Sequence, residues 1–340
     1  MIKNIILYYF ILCISNTLSF SADLNKGLDL ANSGNYIAVF NEWHPLALAG
    51  NVKAQYNLGL MYVNGNGVSQ NFLEAEKWFR LSALQEHIKA QYNLGELYFN
   101  ENSIIKNYVE AAKWFGILAK KGHEIPQLKL AHIYYYGGDG IKINYKNAQK
   151  WYLASANQGN AIAQYSLGEI YRIGQGVIQN YNTAAAWYNI SAKQGNAFAQ
   201  AKLGFMYDHG YGFKEDNIEA LKWYTMASDQ GYSDAQRNLG MMYLKGDGIK
   251  KNYKLAIKFF LLAAKKGHSS AQYILGMMYH NGEGIIKDYK KAEKWYRLSA
   301  EQGHVKSQYN LGELYYNGLG VQKDYKEASK WYKLAAEQAQ

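Results

Sequence analysis

A six-residue phrase returns eight times at an almost constant interval, and no other feature restricts the possible folds of this chain so strongly. It reads AQYNLG where it ends at Gly59 and again at Gly95, and it recurs with changes as far as SQYNLG at Gly312. The interval is 36 residues throughout, except for 37 residues between Ala131 and Gly168. A fixed period of this length predicts a stacked array of small units, numbered here as copies 1 to 8 from Asn51.

Within one copy the pattern predicts two helices joined by a glycine turn. In copy 1, Ala54, Leu58 and Tyr62 recur every four residues, which places them on one stripe of a first helix. Gly59 adjoins that stripe at a cost of about 1 kcal/mol, so its recurrence suggests that a neighbouring helix comes close there. A Gly-x-Gly turn follows, and the second helix starts near Phe72. Its most regular column contains Trp78, Trp114, Trp151, Trp187, Trp223, Trp295 and Trp331, with Phe259 in copy 6. The chain is therefore predicted to be all-α.

These motifs resemble the Sel1-like repeats, which are related to tetratricopeptide repeats. The resemblance rests on the phrase AQxxLGxxYxxGxG followed by AxxWxxxAAxxG, and it covers residues 51–340. It implies a right-handed α/α superhelical solenoid of eight helix-pair repeats with a concave face for binding proteins or peptides. Residues 22–50, which include Trp43, read as a diverged N-terminal capping helix pair. Copy 2 lacks the Gly-x-Gly turn and copy 3 has Pro126 in place of Ala, so we expect an irregular joint in these two copies. In copy 8 we expect Trp331 to be partly exposed.

Residues 1–21 predict a cleavable secretory signal peptide. Lys3 precedes an apolar run over residues 5–14, and Ser19 and Ser21 have the spacing of a signal-peptidase site. A retained membrane anchor is the alternative, although the apolar run is short for a bilayer span. Cys13 is the only cysteine, so a processed chain would have no disulfide and no thiol chemistry. We expect a periplasmic or secreted protein.

The formal net charge of +10 permits contact with acidic partners or anionic surfaces. Acidic residues are interleaved with the basic ones along the whole chain, and this argues against nucleic acid as a partner. A lysine precedes the Trp column in seven copies, and these residues should form an outer ridge that could weakly contact an anionic envelope surface: Lys77, Lys113, Lys150, Lys222, Lys258, Lys294 and Lys330.

Three patterns could carry chemistry, and each has a simpler explanation. Four histidines share the column at the start of the first helix, where other copies have the helix-capping residue Asn: His87, His123, His268 and His304. Ser103 and Lys106 match the S-x-x-K acylation motif, but the companion motifs S-D-N and K-T-G are missing. Glu96, Glu169 and Glu313 share a column but lie at least one repeat apart. The sequence therefore predicts no catalytic residue, no metal site and no cofactor.

Two columns of the first helix vary in chemistry while the framework columns stay fixed, so specificity for a partner could reside in them. Phe205, Met241 and Met277 are predicted to form an apolar binding strip, because soft, methionine-rich surfaces suit protein recognition. The predicted concave-face binding residues are Asn57, Asn93, Glu96, Ser166, Glu169, Phe205, Asn238, Met241, Met277, Asn310 and Glu313.

The sequence thus favours an exported, non-catalytic scaffold or adaptor that binds a protein or peptide. Two alternatives stay open. Family analogy suggests a hydrolase acting on peptidoglycan or β-lactams, and export suggests a secreted effector that engages host proteins.

Overall fold

A computed structural model describes residues 23–338 of the chain, which form 18 α-helices in that range. The predicted signal peptide and Cys13 lie outside the described residues. The chain divides into two compact units, with the boundary between Ala154 and Ser155 inside one helix. Unit 1 contains α1 (Leu24–Asn32), α2 (Tyr36–Leu48), α3 (Val52–Asn64), α4 (Phe72–Leu84), α5 (Ile88–Phe99), α6 (Tyr108–Lys120) and α7 (Glu124–Tyr136), and α8 (Tyr145–Ala156) contains the boundary. Unit 2 contains α9 (Ala161–Ile173), α10 (Tyr181–Lys193), α11 (Ala197–His209), α12 (Asn217–Asp229), α13 (Ser233–Lys245), α14 (Tyr253–Lys265), α15 (Ser269–Asn281), α16 (Tyr289–Ala300), α17 (Val305–Asn317) and α18 (Tyr325–Glu337).

Each copy is a helix pair whose ends are set by local sequence. In copy 1 the Asn51 side chain accepts a hydrogen bond from the Ala54 amide at 3.0 Å and caps α3. The helix ends at Gly65, which has a φ of 71° that costs glycine no steric strain. Asn71 then caps α4 by accepting from two amides of its first turn. The prediction of an all-α array of helix pairs is confirmed in both units.

The recurrent glycine of the first helix is where the two helices of a copy approach each other. A Cβ atom at Gly59 would lie 2.4 Å from the Phe79 ring of α4, and one at Gly276 would lie 2.4 Å from the Tyr296 ring of α16. Real Cβ atoms do not come that close to a neighbour, so Gly59 and Gly276 must stay glycine for these rings to fit as they do. The expected close approach is confirmed.

A buried glutamine in each first helix joins that copy to the preceding helix. Its Nε2 donates to a carbonyl at the end of that preceding helix, eight residues earlier in the chain, and this satisfies an acceptor that a helix end leaves free. All eight bonds measure between 3.0 and 3.3 Å: Gln55, Gln91, Gln127, Gln164, Gln200, Gln236, Gln272 and Gln308 are the donors. The bond explains why this column does not vary.

The N-terminal pair α1 and α2 packs on copy 1 in the manner of a further repeat. Trp43 of α2 is buried with Leu58 of α3 and Trp78 of α4 in one apolar cluster. Its indole N–H donates to the Leu24 carbonyl at 3.2 Å. This pair therefore covers the apolar side that copy 1 would otherwise expose.

Unit 1 also contains the expected irregular joint. The helix α5 ends at Asn100 in extended backbone instead of a left-handed glycine, and an isolated β-bridge joins Gly138 and Ile141 in the turn of copy 3. The expectation for Trp331 is wrong, because only 5% of this residue is exposed. Its indole packs with Leu311 and Leu314 of α17 and donates to Glu327 at 2.8 Å.

Candidate protein-binding face

The two variable columns lie on the side of the first helices that faces away from the buried stripe, and we call this side the first-helix face. In α11, Lys202 and Phe205 are half-buried, whereas Ala199 and Leu203 of the Ala-Leu-Tyr stripe are buried. The eleven predicted binding residues are all half-buried: Asn57, Asn93, Glu96, Ser166, Glu169, Phe205, Asn238, Met241, Met277, Asn310 and Glu313. They are accessible to a partner but also packed against the array.

In unit 1 the face opens into a cavity of about 990 Å³ beside the irregular loops of copies 2 and 3. Asn93 and Glu96 line it, and the Glu96 carboxylate is 3.1 Å from Lys129 Nζ. The same ammonium group lies 4.7 Å from the centroid of the Phe99 ring. The two predicted residues are thus brought together, with one carboxylate already paired to a lysine of the next copy.

In unit 2 a cavity of about 560 Å³ contains Phe205, Asn238 and Met241. Phe205 stacks on His209, with ring centroids 4.1 Å apart. Met277 is not among the residues that line this cavity. It packs against the apolar cluster of copies 7 and 8, as Met241 packs against that of copies 6 and 7. Phe205 and Met241 thus line one cavity, Met277 occupies the equivalent position in the next copy, and the apolar strip stays a prediction.

The two carboxylates of unit 2 are held by tyrosines of their own copies. Glu169 accepts from the Tyr188 hydroxyl, and Glu313 accepts from that of Tyr332. Glu169 also lies 2.7 Å from Arg172. Burial would raise the pKa of Glu169, but the hydrogen bonds from Arg172 and Tyr188 outweigh it and hold the pKa below its usual range. Glu169 and Glu313 thus hold tyrosines of separate copies and do not form a pair suited to acid–base catalysis.

The polar residues of the other variable column are partly used within the array. Ser166 donates to the Ile162 carbonyl at 2.9 Å, one turn earlier in α9. Asn310 lines a second cavity of about 990 Å³ together with Glu313 and with Tyr273 of the preceding copy. Asn57 lines none of the cavities described here. A partner would therefore meet side chains that are already oriented.

The patterns that could have carried chemistry have structural roles. The imidazoles of three of the four column histidines cap first helices: Nδ1 of His87, His268 and His304 accepts an amide at 3.2 to 3.3 Å. Ser103 lies in a turn and not on a helix, and its hydroxyl accepts from the Ile105 amide. Lys106 pairs with Asp139 at 3.2 Å instead of approaching the serine. Over residues 23–338, no three metal-ligating side chains come together as an ion would require.

The seven lysines beside the Trp column are exposed, as the ridge requires. Six of them place Nζ between 4.9 and 5.6 Å from the ring centroid of the following residue. Four also pair with a glutamate one turn earlier, as Lys222 does with Glu219 at 3.0 Å. These carboxylates reduce the net charge of the ridge, so contact with an anionic surface stays a prediction. None of the helices between residues 23 and 338 has the length and apolar character of a bilayer span.

Comparison with known proteins places this architecture in a family. The Sel1 repeat model matches residues 52–87, 88–123, 127–160, 161–196, 197–232, 233–268, 269–304 and 305–339. The chain is similar to a protective antigen of uropathogenic Escherichia coli whose crystal structure has an SLR fold. The match has 30% sequence identity and a TM-score of 0.69, and it covers 94% of this chain and 78% of the antigen. A Sel1 repeat protein from Oxalobacter formigenes is 29% identical over 89% of this chain and 88% of its own, with a TM-score of 0.77. Comparison with curated proteins found no match.

Three residues of the first-helix face were not predicted from the sequence. The apolar residues Ile162 and Phe198 lie one turn before the variable columns and are exposed. Arg237 stands where five other copies have tyrosine. A search of every first-helix position that follows the helical spacing of the face, rather than two columns, would have found them.

Proposed function

Because the chain belongs to the Sel1 repeat family, we propose that it is an exported, non-catalytic scaffold that holds a protein or peptide along its first-helix face. Sel1 repeats generally mediate interactions between proteins. The observation that carries the proposal is the contrast between columns. The fixed residues are buried in the packing between helices, whereas most of the varied ones are half-buried, differ from copy to copy, and in several copies line cavities.

The test is a triple variant of the apolar side chains, Phe205→Glu, Met241→Glu and Met277→Glu. It should abolish capture of partners from envelope and host extracts by the immobilised processed protein. The matched control replaces exposed apolar residues on the second helices of the same three copies: Met226→Glu, Leu262→Glu and Leu298→Glu. Far-ultraviolet circular dichroism must show equal helicity in both variants. Equal capture by the two variants would refute the face as the binding site.

Export is part of the proposal and rests on the pattern of residues 1–21. The similarity to a protein described as a protective antigen of a bacterium supports it. Cell fractionation with mass spectrometry of the mature N-terminus should find a processed chain outside the cytoplasm. The same fractions distinguish a periplasmic adaptor from a secreted effector.

The absence of catalysis is likewise proposed, and the position of Ser103 supports it. An acylation motif needs its serine and lysine one helical turn apart, and here the pair lies in a turn with Lys106 bound to Asp139. Turnover of a chromogenic β-lactam by the purified protein, lost in Ser103→Ala, would overturn this part of the proposal.

A further inference from the structure

One copy of unit 2 breaks the interleaving of basic and acidic residues along the chain. Residues 232–267, which form copy 6, contain eight lysine or arginine residues and only two aspartates, so this copy holds +6 of the formal net charge of +10. Copy 5, over residues 196–231, contains three lysines and five acidic residues. The other seven copies build the same helix pair without such a charge, so the packing of the repeat does not require it.

Six exposed lysines of copies 6 and 7 lie in the turn between the two helices of a copy or in the first turn of its second helix, and we call this side of unit 2 the basic edge. Five of them have no carboxylate within ion-pair distance among residues 23–338, whereas Lys291 lies 3.3 Å from Asp288. The two turns are adjacent, because a Cβ atom at Gly284 of copy 7 would lie 2.3 Å from the Tyr253 side chain at the start of α14. The six residues are Lys250, Lys251, Lys254, Lys287, Lys290 and Lys291.

The acidic residues nearby reduce the charge of the basic edge without cancelling it. Asp247 lies 3.5 Å from Lys245, which is outside the six, and Asp288 and the half-buried Glu283 belong to the turn of copy 7. Over equivalent segments that include these acids, the formal net charge is +4 in copy 6, residues 245–258, and +1 in each of copies 7 and 8, residues 281–294 and 317–330. It is −1 in copy 5, residues 209–222, which bounds the edge on one side. The edge therefore stays positive after the carboxylates of these segments are counted.

Three lysines of the basic edge, Lys254, Lys290 and Lys291, stand in the first turn of a helix, where a positive charge is unfavourable. The positive end of the helix dipole lies there, so each of these lysines lowers the stability of its helix. The helices α14 and α16 have no acidic residue in that turn. Four other copies have the favourable glutamate as the third residue of the second helix: Glu74, Glu110, Glu219 and Glu327. The lysines of copies 6 and 7 therefore point to a role other than folding.

An almost fully exposed isoleucine accompanies these lysines. Ile286 directly precedes one of them in the turn of copy 7 and is 88% exposed. The equivalent residues of the neighbouring copies are Lys250 and Gln322, so the turn does not require an apolar residue there. Copy 4 has Ile178 at the same position, 91% exposed, but residues 174–183 around it contain no charged residue. Copy 7 thus combines an exposed isoleucine with lysines, and copy 4 offers a matched control.

We propose that the basic edge docks on an anionic lipid bilayer, with its lysines against the lipid headgroups and Ile286 inserted between them. Lysines near a surface of anionic lipids each strengthen binding about fivefold. A bilayer also gives the isoleucine side chain an apolar environment, which a nucleic acid or a soluble polyanion does not. None of the six lysines lines a cavity of the first-helix face, so this inference goes beyond the proposed function and does not depend on it.

Sedimentation with lipid vesicles tests the proposal on the processed chain. Vesicles of phosphatidylcholine with about one third phosphatidylglycerol should bind the protein, and vesicles of phosphatidylcholine alone should not. Binding should weaken with added salt, because the screening length falls from about 10 Å at 0.1 M to about 3 Å at 1 M.

Two triple variants locate the docking surface. Lys250→Gln, Lys254→Gln and Lys290→Gln together should weaken vesicle binding at least about tenfold. The control removes the same number of charges from the outer ridge, at lysines that each pair with a glutamate, and should change binding less than about twofold. It combines Lys77→Gln, Lys113→Gln and Lys222→Gln.

Insertion of the isoleucine is tested separately. Ile286→Ser should weaken vesicle binding about fivefold, whereas Ile178→Ser should leave it unchanged. The chain produced without residues 1–21 has no cysteine, so Ile286→Cys and Ile178→Cys can each carry one environment-sensitive dye. The emission of the dye at residue 286 should shift to shorter wavelength on addition of the anionic vesicles, and that of the dye at residue 178 should not. Circular dichroism must show that all variants keep their helicity.

The outcomes that would overturn the inference are distinct. Equal binding to both kinds of vesicle would show that headgroup charge does not matter, and equal effects of the two triple variants would place the contact on the outer ridge. An unshifted emission of the dye at residue 286 would exclude insertion. A single-stranded oligonucleotide that binds as tightly as the anionic vesicles, with Ile286→Ser without effect on either, would show a general site for polyanions. Capture of a protein partner is measured with other residues, so the proposed function stands or falls separately.

Discussion

Replacing Lys266 with glutamine should stabilise the protein, because it supplies a hydrogen bond that other copies already have. In copy 5, Gln230 Nε2 donates at 2.8 Å to the buried Oε1 of Gln200, the glutamine that joins successive copies. Copies 1, 4 and 7 make the same bond from Gln85, Gln194 and Gln302 at 2.9, 2.6 and 2.7 Å. In copy 6 the donor's place is taken by Lys266, and within the described residues Gln236 Oε1 is buried without a hydrogen-bond partner.

The expected gain is about 1 kcal/mol in the free energy of unfolding. A buried acceptor without a partner costs about 1 to 3 kcal/mol, and a typical hydrogen bond contributes about 1 kcal/mol net. The wild-type lysine donates to the Gly231 carbonyl, but it is exposed, so water replaces that bond at little cost. Ordering the new glutamine side chain keeps the gain at the lower end of the range.

Urea denaturation followed by circular dichroism measures the effect, with an unchanged slope as the condition for comparing midpoints. Lys265→Gln is the control, because it removes the same charge from the last turn of α14 without supplying a donor to Gln236. Lys121→Gln repeats the experiment in copy 2, where Gln91 Oε1 is also buried and unpartnered among residues 23–338. If Lys266→Gln is no more stable than Lys265→Gln, the glutamine bond does not contribute as argued.

Two further changes test the framework by denaturation. Gly276→Ala should destabilise the protein by about 1 to 3 kcal/mol despite the better helix propensity of alanine, since the new Cβ would lie 2.4 Å from the Tyr296 ring. Gly116→Ala is the control: its new Cβ would have its nearest neighbour 4.0 Å away, so the change should stabilise the protein by up to about 1 kcal/mol. Equal effects of the two changes would contradict the close-approach argument. The neutral ring of His304 accepts a hydrogen bond from the Ser307 amide, and burial lowers the pKa of the ring below its value in the unfolded chain, about 6.5. The stability that this ring contributes is therefore complete above the unfolded-chain pKa and is lost as the pH falls below it. His304→Asn, which keeps a cap without titrating, should therefore reduce the loss of stability on acidification, and an unchanged pH profile would refute this role.

The sequence was sufficient to predict the helix pairs, the turn glycines and the close approach at Gly59, because these depend on residues within one copy. It was not sufficient to predict the partners of the glutamine column. Gln200 donates eight residues back and accepts from a residue 30 positions ahead, and neither spacing belongs to a helix or a turn. Likewise, the columns did not predict which face residues line a common cavity, as Phe205 and Met241 do, since a column shows only which side of a helix a residue is on.

The first-helix face and the framework are physically coupled through the residue that follows the recurrent glycine of the first helix. In copies 4 and 8 that residue is glutamate, and it accepts the hydroxyl of the tyrosine that packs on the glycine, Tyr188 or Tyr332. In copy 5 it is Phe205, and the Tyr224 hydroxyl turns to Asp208 at 3.5 Å instead. A change from apolar to acidic at this column therefore alters the exposed surface of the first helix and also the acceptor that the packed tyrosine uses. Because copies 4, 5 and 8 each supply this acceptor from their own residues, such a copy can change its surface while its neighbours keep theirs, and a regular array can therefore present an irregular face.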